Sequence, residues 1–178
     1  MSVRVATMAD VPALRDLIGL SVRGLSLEFY TDAQIEAAMT EVFGVDTQLV
    51  TDGTYYVVDG PSAPVAAGGW SARRTLYGGD QLKRADDPML DPASDAARIR
   101  AFFVHPDWAR RGLARRLYAE CERAAAAARF RRFELMATLP GEPLYRALGF
   151  TPTEQVVLTL GGGVALPLVR MARRIDAL

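Results

Sequence analysis

Apolar positions along this chain switch between helical and strand-like spacing, which predicts a mixed α/β domain. Apolar residues recur every three to four positions after Asp10 and again after Thr31, and Gly44 follows the second run. These two segments are predicted helices. Runs rich in β-branched and aromatic residues predict strands over residues 2–6, 54–59, 65–74, 99–104 and 133–138. The tail, residues 156–171, predicts a β-hairpin around Gly161–Gly163, in which Pro167 indicates an edge or bulged position.

The stretch from Ala97 to Arg116 carries the strongest functional signal. A predicted buried strand stops at Pro106, and a short turn ending at Gly112 leads into a helix that runs to about Ala128. The turn therefore places the free N–H groups of a helix N-terminus after a strand, an arrangement that favours an anion. Positive charge is added there by Arg110, Arg111 and Arg115. We predict a phosphate or pyrophosphate site.

The same helix connects two predicted strands, residues 99–104 and 133–138. Such a connection makes the strands parallel neighbours through a right-handed crossover.

Composition excludes several classes of protein. The length of 178 residues predicts one domain, residues 1–178. Lys plus Arg and Asp plus Glu number 21 each, which argues against general nucleic-acid binding. Cys121 is the single cysteine, so neither an intrachain disulfide nor a cysteine zinc site is expected, and we expect no metal. The sequence shows no apolar run long enough to span a membrane and no apolar signal core, which predicts a cytoplasmic protein.

Two motifs resemble the GNAT acyltransferase superfamily. Residues 109–114, Ala-Arg-Arg-Gly-Leu-Ala, are similar to its signature Gln/Arg-x-x-Gly-x-Gly/Ala, with Ala109 as a departure at the first position. Residues 145–150 reproduce its closing Tyr-x-x-Leu-Gly-Phe. One predicted helix and one predicted strand separate the two motifs, as in the family, which makes the pair much more specific than either alone.

The resemblance implies a GNAT fold: a mixed, mostly antiparallel sheet of about seven strands, splayed between its central parallel strands and flanked by about four helices. It implies acetyl-CoA as the acyl donor, with the pyrophosphate in the signature turn and the pantetheine arm along the preceding strand. The implied cofactor-binding residues are Phe102, Phe103, Val104, Arg110, Arg111, Gly112, Leu113, Ala114 and Arg115. Thr138 joins them because it stands where many members place an asparagine that contacts the cofactor.

Tyr145 is the catalytic residue that the resemblance implies. A thiol with a pKa of about 8.5 needs only mild acid assistance to leave, and a tyrosine with a pKa of about 10 can supply it. The alternative is a tyrosine that only packs between helix and sheet. The general base stays open among a water chain and the side chains of Glu28, Asp80, His105 and Glu134.

Acceptor contacts are predicted from two connections. Phe29 and Tyr30 lie between the first two helices, where the family commonly borders its acceptor pocket; a hydrophobic anchor for the loop is the alternative. The irregular segment 75–96 is a predicted lid, in which Asp80, Asp86 or Asp87 would attract an amine; a solvated acidic loop is the alternative. Trp70 either lines a pocket or fills the core. A turn cap is the favoured role of His105, and a buried structural thiol that of Cys121.

The sequence thus predicts an N-acetyltransferase that moves an acetyl or short acyl group from CoA directly to an amine of a small molecule or peptide. A non-catalytic acyl-CoA-binding or regulatory module on the same fold is the alternative. A nucleotide-phosphate binder is disfavoured because the long glycine-rich fingerprints are absent from the sequence. The resemblance also allows a homodimer through the C-terminal strands.

Overall fold

The computed structural model describes residues 1–83 and 86–176. Within them the α-helices are α1 (Val11–Leu25), α2 (Asp32–Glu41), α3 (Thr47–Thr51), α4 (Leu113–Ala127) and α5 (Glu142–Ala147). The strands are β1 (Val3–Val5), β2 (Tyr55–Asp59), β3 (Pro64–Ser71), β4 (Ala97–Val104), β5 (Arg132–Thr138), β6 (Thr151–Thr159) and β7 (Ala165–Arg174).

A seven-stranded sheet in the order β1-β2-β3-β4-β5-β7-β6 organises the molecule. Every neighbouring pair is antiparallel except β4 and β5, which are parallel. Only Ala97↔Phe133 and Arg98↔Glu134 pair β4 with β5. The two strands therefore separate over their C-terminal halves. The predicted fold class, including the parallel central pair and its splay, is confirmed.

Helices cover both faces of the sheet. On one face α4 buries Leu117 and Cys121 in a core cluster that includes Phe133. On the other face α1 buries Leu14 and Ile18 in a second cluster. Each helix has one apolar stripe, and burying these stripes against the two faces of the sheet gives a three-layer domain.

Three local features differ from the sequence expectations. Helix α3 was not predicted because its single turn is too short to show periodicity; the side chain of Asp46 caps it by accepting from the N–H of Gln48 at 3.0 Å. The last hairpin begins at Thr151, five residues earlier than expected, because β6 is an exposed edge strand with a weak apolar signal. Pro167 lies in β7, an interior strand, but one residue beyond the last pair with β5, Thr138↔Leu168. Its missing N–H therefore removes no bond to β5.

Candidate active site

A bulge in β4 opens the centre of the sheet. The register of β3 against β4 shifts between Ala67 and Gly69, and Ala101 takes a left-handed φ of 56°. The carbonyl of Ala101 accepts a hydrogen bond from the Tyr55 hydroxyl at 2.9 Å. Gly68 is required opposite the bulge, since a Cβ there would lie 2.7 Å from the Phe102 ring. Bulges commonly re-aim side chains beside functional sites.

The turn after β4 presents unpaired backbone donors. Arg110 and Gly112 have φ of 63° and 78°. The first intrahelical bond of α4 runs from the N–H of Arg116 to the Gly112 carbonyl at 3.2 Å. The N–H groups of residues 113–115 consequently have no intrahelical acceptor. Because α4 is fifteen residues long, its dipole adds partial positive charge at this end.

Two side chains brace the turn. The guanidinium of Arg111 lies 4.8 Å from the centre of the Trp108 ring, in a cation–π contact. The Nδ1 atom of His105 accepts from the N–H of Asp107 at 3.2 Å. This turn-capping contact uses one imidazole nitrogen of His105, and the residue does not line the cleft described next.

A cleft of about 220 Å³ lies where β4 and β5 separate. One half begins at the start of α4 and has walls from β4, β5 and α5; it is lined by Phe102, Phe103, Val104, Ala114, Met136, Thr138, Pro140, Gly141, Leu144 and Tyr145. The other half is enclosed by the ends of α1 and α2 and by the loop after β3; its lining includes Ser21, Val22, Leu25, Ser26, Val42, Phe43, Gly44 and residues 76–79. We call these two groups of lining residues the cofactor half and the acceptor half, after the partners that the resemblance implies for them.

Tyr145 lies in the wall of the cofactor half. It is 8% exposed, and its ring packs edge-on against Phe102 and Phe150, with centroid distances of 6.3 and 5.8 Å. Within residues 1–83 and 86–176, no side chain or backbone group hydrogen-bonds its hydroxyl. Burial raises the pKa of Tyr145 above its ordinary value, so the phenol keeps its proton throughout the neutral range.

Thr138 closes β5 beside this wall. Its Oγ1 accepts from the N–H of Gly141 at 3.1 Å, which shapes the turn into α5. The structure thus brings Thr138 and Tyr145 into one cleft with residues 102–104 and Ala114, and Arg110, Arg111, Gly112, Leu113 and Arg115 lie at its entrance turn.

The residues predicted to contact the acceptor lie outside the cleft wall. Phe29 is exposed and Tyr30 is buried, and neither lines the cleft. The Tyr30 hydroxyl accepts from the N–H of Leu139 at 2.9 Å and donates to the Pro167 carbonyl at 2.7 Å. It thus bridges β5 and β7 where their ladder ends, and burial raises its pKa to about 12. The structure favours the anchoring alternative for Tyr30.

Replacing Tyr30 by phenylalanine separates these two roles. We expect a stability loss of about 1–3 kcal/mol, because a part-buried N–H and a part-buried carbonyl would lose their partner. Urea denaturation measures it. A changed acceptor KM at unchanged stability would instead restore the acceptor-contact role.

Two acidic residues of the predicted lid accept hydrogen bonds from backbone N–H groups of the protein. Asp80 accepts from the N–H of Thr47 at 3.0 Å, and Asp87 accepts from the N–H of Thr75 at 2.8 Å. Asp86 is exposed, and residues 84–85 lie outside the described residues. None of these three carboxylates lines the cleft among the described residues, whereas Leu76 and Tyr77 of the same segment do. The Asp80 carboxylate is turned to the start of α3, and its contact with an acceptor stays a prediction.

Glu134, one of the candidate general bases, also has its carboxylate bound to other side chains of the protein. Oε2 of Glu134 is held by Arg98 at 3.0 Å and by Arg170 at 2.6 Å. Glu134 is thus engaged in two ion pairs, and it does not line the cleft. No Asp, Glu or His belongs to the cleft wall in the part of the chain that the structure describes.

Sequence reasoning missed a buried ion pair beside the acceptor half. Arg100 is 2% exposed, and its guanidinium donates to Asp46 at 2.9 Å and to the carbonyls of Gly78 and Thr75 at 2.7 and 3.1 Å. Asp46 also accepts from Lys83 at 2.9 Å. These bonds fasten the loop of residues 75–83 to β4. The available signal was Arg100 between Ile99 and Ala101 in the predicted apolar strand 99–104, because an arginine in a buried strand requires a partner.

Comparison with known proteins shows what the central part of the chain resembles. Residues 90–169 match the sequence model of a family described as an acetyltransferase (GNAT) domain. This part of the chain is therefore similar to a GNAT acetyltransferase domain. The matched residues of this domain run from just before β4 into β7 and include both motifs. No curated protein matches the sequence.

Solved structures share the whole GNAT fold. A GCN5-related N-acetyltransferase from Rhodopseudomonas palustris has 16% identity and a TM-score of 0.70, over 97% of this chain and 94% of the other. PaiA N-acetyltransferase from Thermoplasma acidophilum, in complex with coenzyme A, has 12% identity and a TM-score of 0.65, over 97% and 98%. A phosphinothricin acetyltransferase from Sinorhizobium meliloti, in complex with AcCoA, has 19% identity and a TM-score of 0.63, over 98% and 88%.

Two further observations concern the described part of the chain. No helix there combines the length and apolar character needed to cross a membrane. No group of three or more His, Cys, Asp or Glu side chains there is arranged to hold a metal ion. The homodimer and the cytoplasmic location stay predictions.

Proposed function

We propose that this protein is an acetyl-CoA-dependent N-acetyltransferase that moves an acetyl group directly to an amine. The observation that carries the proposal is the cleft between β4 and β5, which runs from the free N–H groups of α4 to the tyrosine on α5. The complexes of coenzyme A and AcCoA with the Thermoplasma and Sinorhizobium proteins support it, since both share the fold.

The entrance turn suits the diphosphate of CoA. The N–H groups of residues 113–115 have no helical acceptor, and Arg110, Arg111 and Arg115 surround them with positive charge. Helix N-termini with free N–H groups bind phosphates without further machinery. Beyond the turn, β4 is separated from β5, so that the backbone of residues 102–103 is available to an extended pantetheine arm, whereas the N–H of Val104 donates to the Ser21 hydroxyl.

The reaction needs only positioning and one proton donor. The neutral amine nitrogen attacks the thioester carbonyl, the C–S bond breaks, and the departing sulfur takes the proton of the Tyr145 hydroxyl. The attacking nitrogen loses one proton as the amide forms, and that proton returns to the phenolate directly or through water. A backbone N–H of β4 can polarise the carbonyl. Because the pKa of Tyr145 is raised by burial, the acid is fully protonated at neutral pH.

Two measurements test the proposal together. Isothermal titration calorimetry tests whether acetyl-CoA binds, and release of free thiol in the presence of an amine library tests whether it reacts. The proposal expects both. Binding without thiol release for any amine would favour the non-catalytic acyl-CoA-binding module, and no binding would exclude both.

Gly112→Ala should weaken acetyl-CoA binding at least tenfold while the protein still folds. A Cβ at Gly112 meets no atom within 4 Å, so the change acts through its left-handed backbone, which costs roughly 1–2 kcal/mol for other residues. If residue 112 relaxes away from its φ of 78°, the backbone N–H groups of residues 113–115 no longer point toward one bound anion.

Gly162→Ala is the matched control for this variant. Gly162 has φ of 71° and equally open surroundings, but it lies in the turn between β6 and β7. Its variant should lose similar stability and keep the affinity of the parent. Equal affinities for both variants would remove the assigned role from the Gly112 turn.

A further inference from the structure

The acceptor half of the cleft has an apolar wall. Its side chains include Val22, Leu25, Phe43 and Leu76, and Tyr77 is the phenol among them. The hydroxyl-bearing residues Ser21 and Ser26 also line it. The Ser21 hydroxyl accepts from the N–H of Val104 at 3.1 Å, so part of its hydrogen-bonding capacity is already used within the protein.

This wall offers no charge that would attract a cation. In the described residues the cleft lining contains no carboxylate, and its one charged side chain is Arg100, a cation. The nearby carboxylate of Asp46 is held between Arg100 and Lys83, and that of Asp87 lies 3.5 Å from Lys83. A second positive charge on the acceptor would therefore enter the cleft without a partner, which is costly in an apolar site.

The protonated form of the reacting amine would likewise be a positive charge without a partner in the cleft. The amine must be neutral to attack, and no carboxylate or histidine in the described lining would take its proton. A free α-amino group has a pKa of about 8 and an alkylamine one of about 10.4, so at pH 7 the neutral fraction of the former is roughly 250-fold larger. Such a cleft favours a weakly basic amine, which loses its proton to water before it enters.

We propose that the acceptor is a weakly basic amine, such as an α-amino group, attached to an apolar body that contacts the acceptor half, and that polycations are excluded. This inference rests on the proposed N-acetyltransferase function. It deepens that function by naming the class of acceptor from the charge of the wall.

Phenylalaninamide and lysinamide form a matched pair of probes. Both carry an α-amino group next to a carboxamide, and they differ in an apolar against a cationic side chain. We expect kcat/KM, measured by thiol release from acetyl-CoA, to be at least tenfold higher for phenylalaninamide, and lower still for spermidine. Calorimetric titration of the same amines into the coenzyme A-loaded protein ranks them even without turnover.

A carboxylate introduced into the wall should reverse the ranking. Leu25 lines the cleft near the end of α1 and is 37% exposed, so Leu25→Glu is compatible with folding. We expect it to raise the lysinamide to phenylalaninamide ratio at least fivefold. Leu25→Gln controls for polarity, and Leu20→Glu controls for charge, since Leu20 is 51% exposed on the same helix and does not line the cleft.

The outcomes separate this inference from the function on which it rests. Equal or stronger reaction and binding of lysinamide or spermidine in the parent protein would overturn the inference and leave the acetyltransferase standing. The same ratio in the Leu25→Glu and Leu20→Glu variants would also overturn it. Failure of acetyl-CoA itself to bind would instead count against the proposed function.

Discussion

Replacing Tyr145 by phenylalanine should lower kcat by about 100-fold or more, within the range that general acids contribute, and leave acetyl-CoA affinity within twofold. The substitution removes the hydroxyl and keeps the ring that packs against Phe102 and Phe150. Only the proton donor is lost, so the thiolate must leave without assistance. Stopped-flow thiol release and calorimetry measure the two quantities separately.

Tyr118→Phe is the control for this experiment. Tyr118 is buried in the same aromatic cluster and contacts Phe150, but it does not line the cleft. Its variant should lose stability, because its hydroxyl pairs with Glu122 and Arg173, and should keep kcat. An unchanged kcat in Tyr145→Phe would show that the phenol is not the acid.

Replacing Arg100 by methionine should destabilise the fold by about 3–5 kcal/mol, the range for breaking one partner of a buried pair. Asp46, itself 2% exposed, would keep its charge in the interior with only Lys83 as a cationic partner, and the carbonyls of Thr75 and Gly78 would lose their donor. Urea or thermal denaturation measures the loss. The loop of residues 75–83 should also become more accessible to proteolysis.

Two further variants test the explanation for Arg100. Arg23→Ala breaks an exposed pair with Glu36 and should lower the stability far less than Arg100→Met does. Arg100→Lys keeps the charge but cannot reproduce the three-way hydrogen bonding of the guanidinium, so its loss should be intermediate. If Arg100→Met costs no more than Arg23→Ala, the buried pair does not hold the loop.

Local signals in the sequence were sufficient for the framework of the site. The strand ending at Pro106 and the helix beginning after Gly112 could be predicted because both are set by neighbouring residues. The same holds for the helix that follows Thr31, where the capping box with Gln34 is encoded within four positions. The signature turn and the Tyr145 motif were likewise recognisable, since their spacing reflects one crossover connection.

Contacts between distant segments could not be predicted in this way. The sequence shows that Tyr30 lies between two helices, which suggested a contact with the acceptor. Its hydroxyl in fact bonds to Leu139 and Pro167, which are 109 and 137 positions further along the chain. Asp80 was predicted to attract the amine of the acceptor. Its carboxylate in fact accepts from the N–H of Thr47, 33 positions earlier. Which polar group pairs with which depends on how the layers pack, and many partners are compatible with one sequence.

The sequence by itself predicted the fold class, the place of the glycine turn before α4 and the tyrosine beside the cleft, because short-range spacing is enough to show the two motifs that resemble the GNAT superfamily. Only the tertiary structure decided the chemistry of the acceptor side. There, the ends of α1 and α2 and the loop of residues 75–83 meet, Asp46 and Asp87 bond elsewhere, and the described cleft lining contains no carboxylate. Burial makes an unpaired charge costly, so the ion pairs formed by the whole fold, rather than any local pattern, set the charge of the cleft wall.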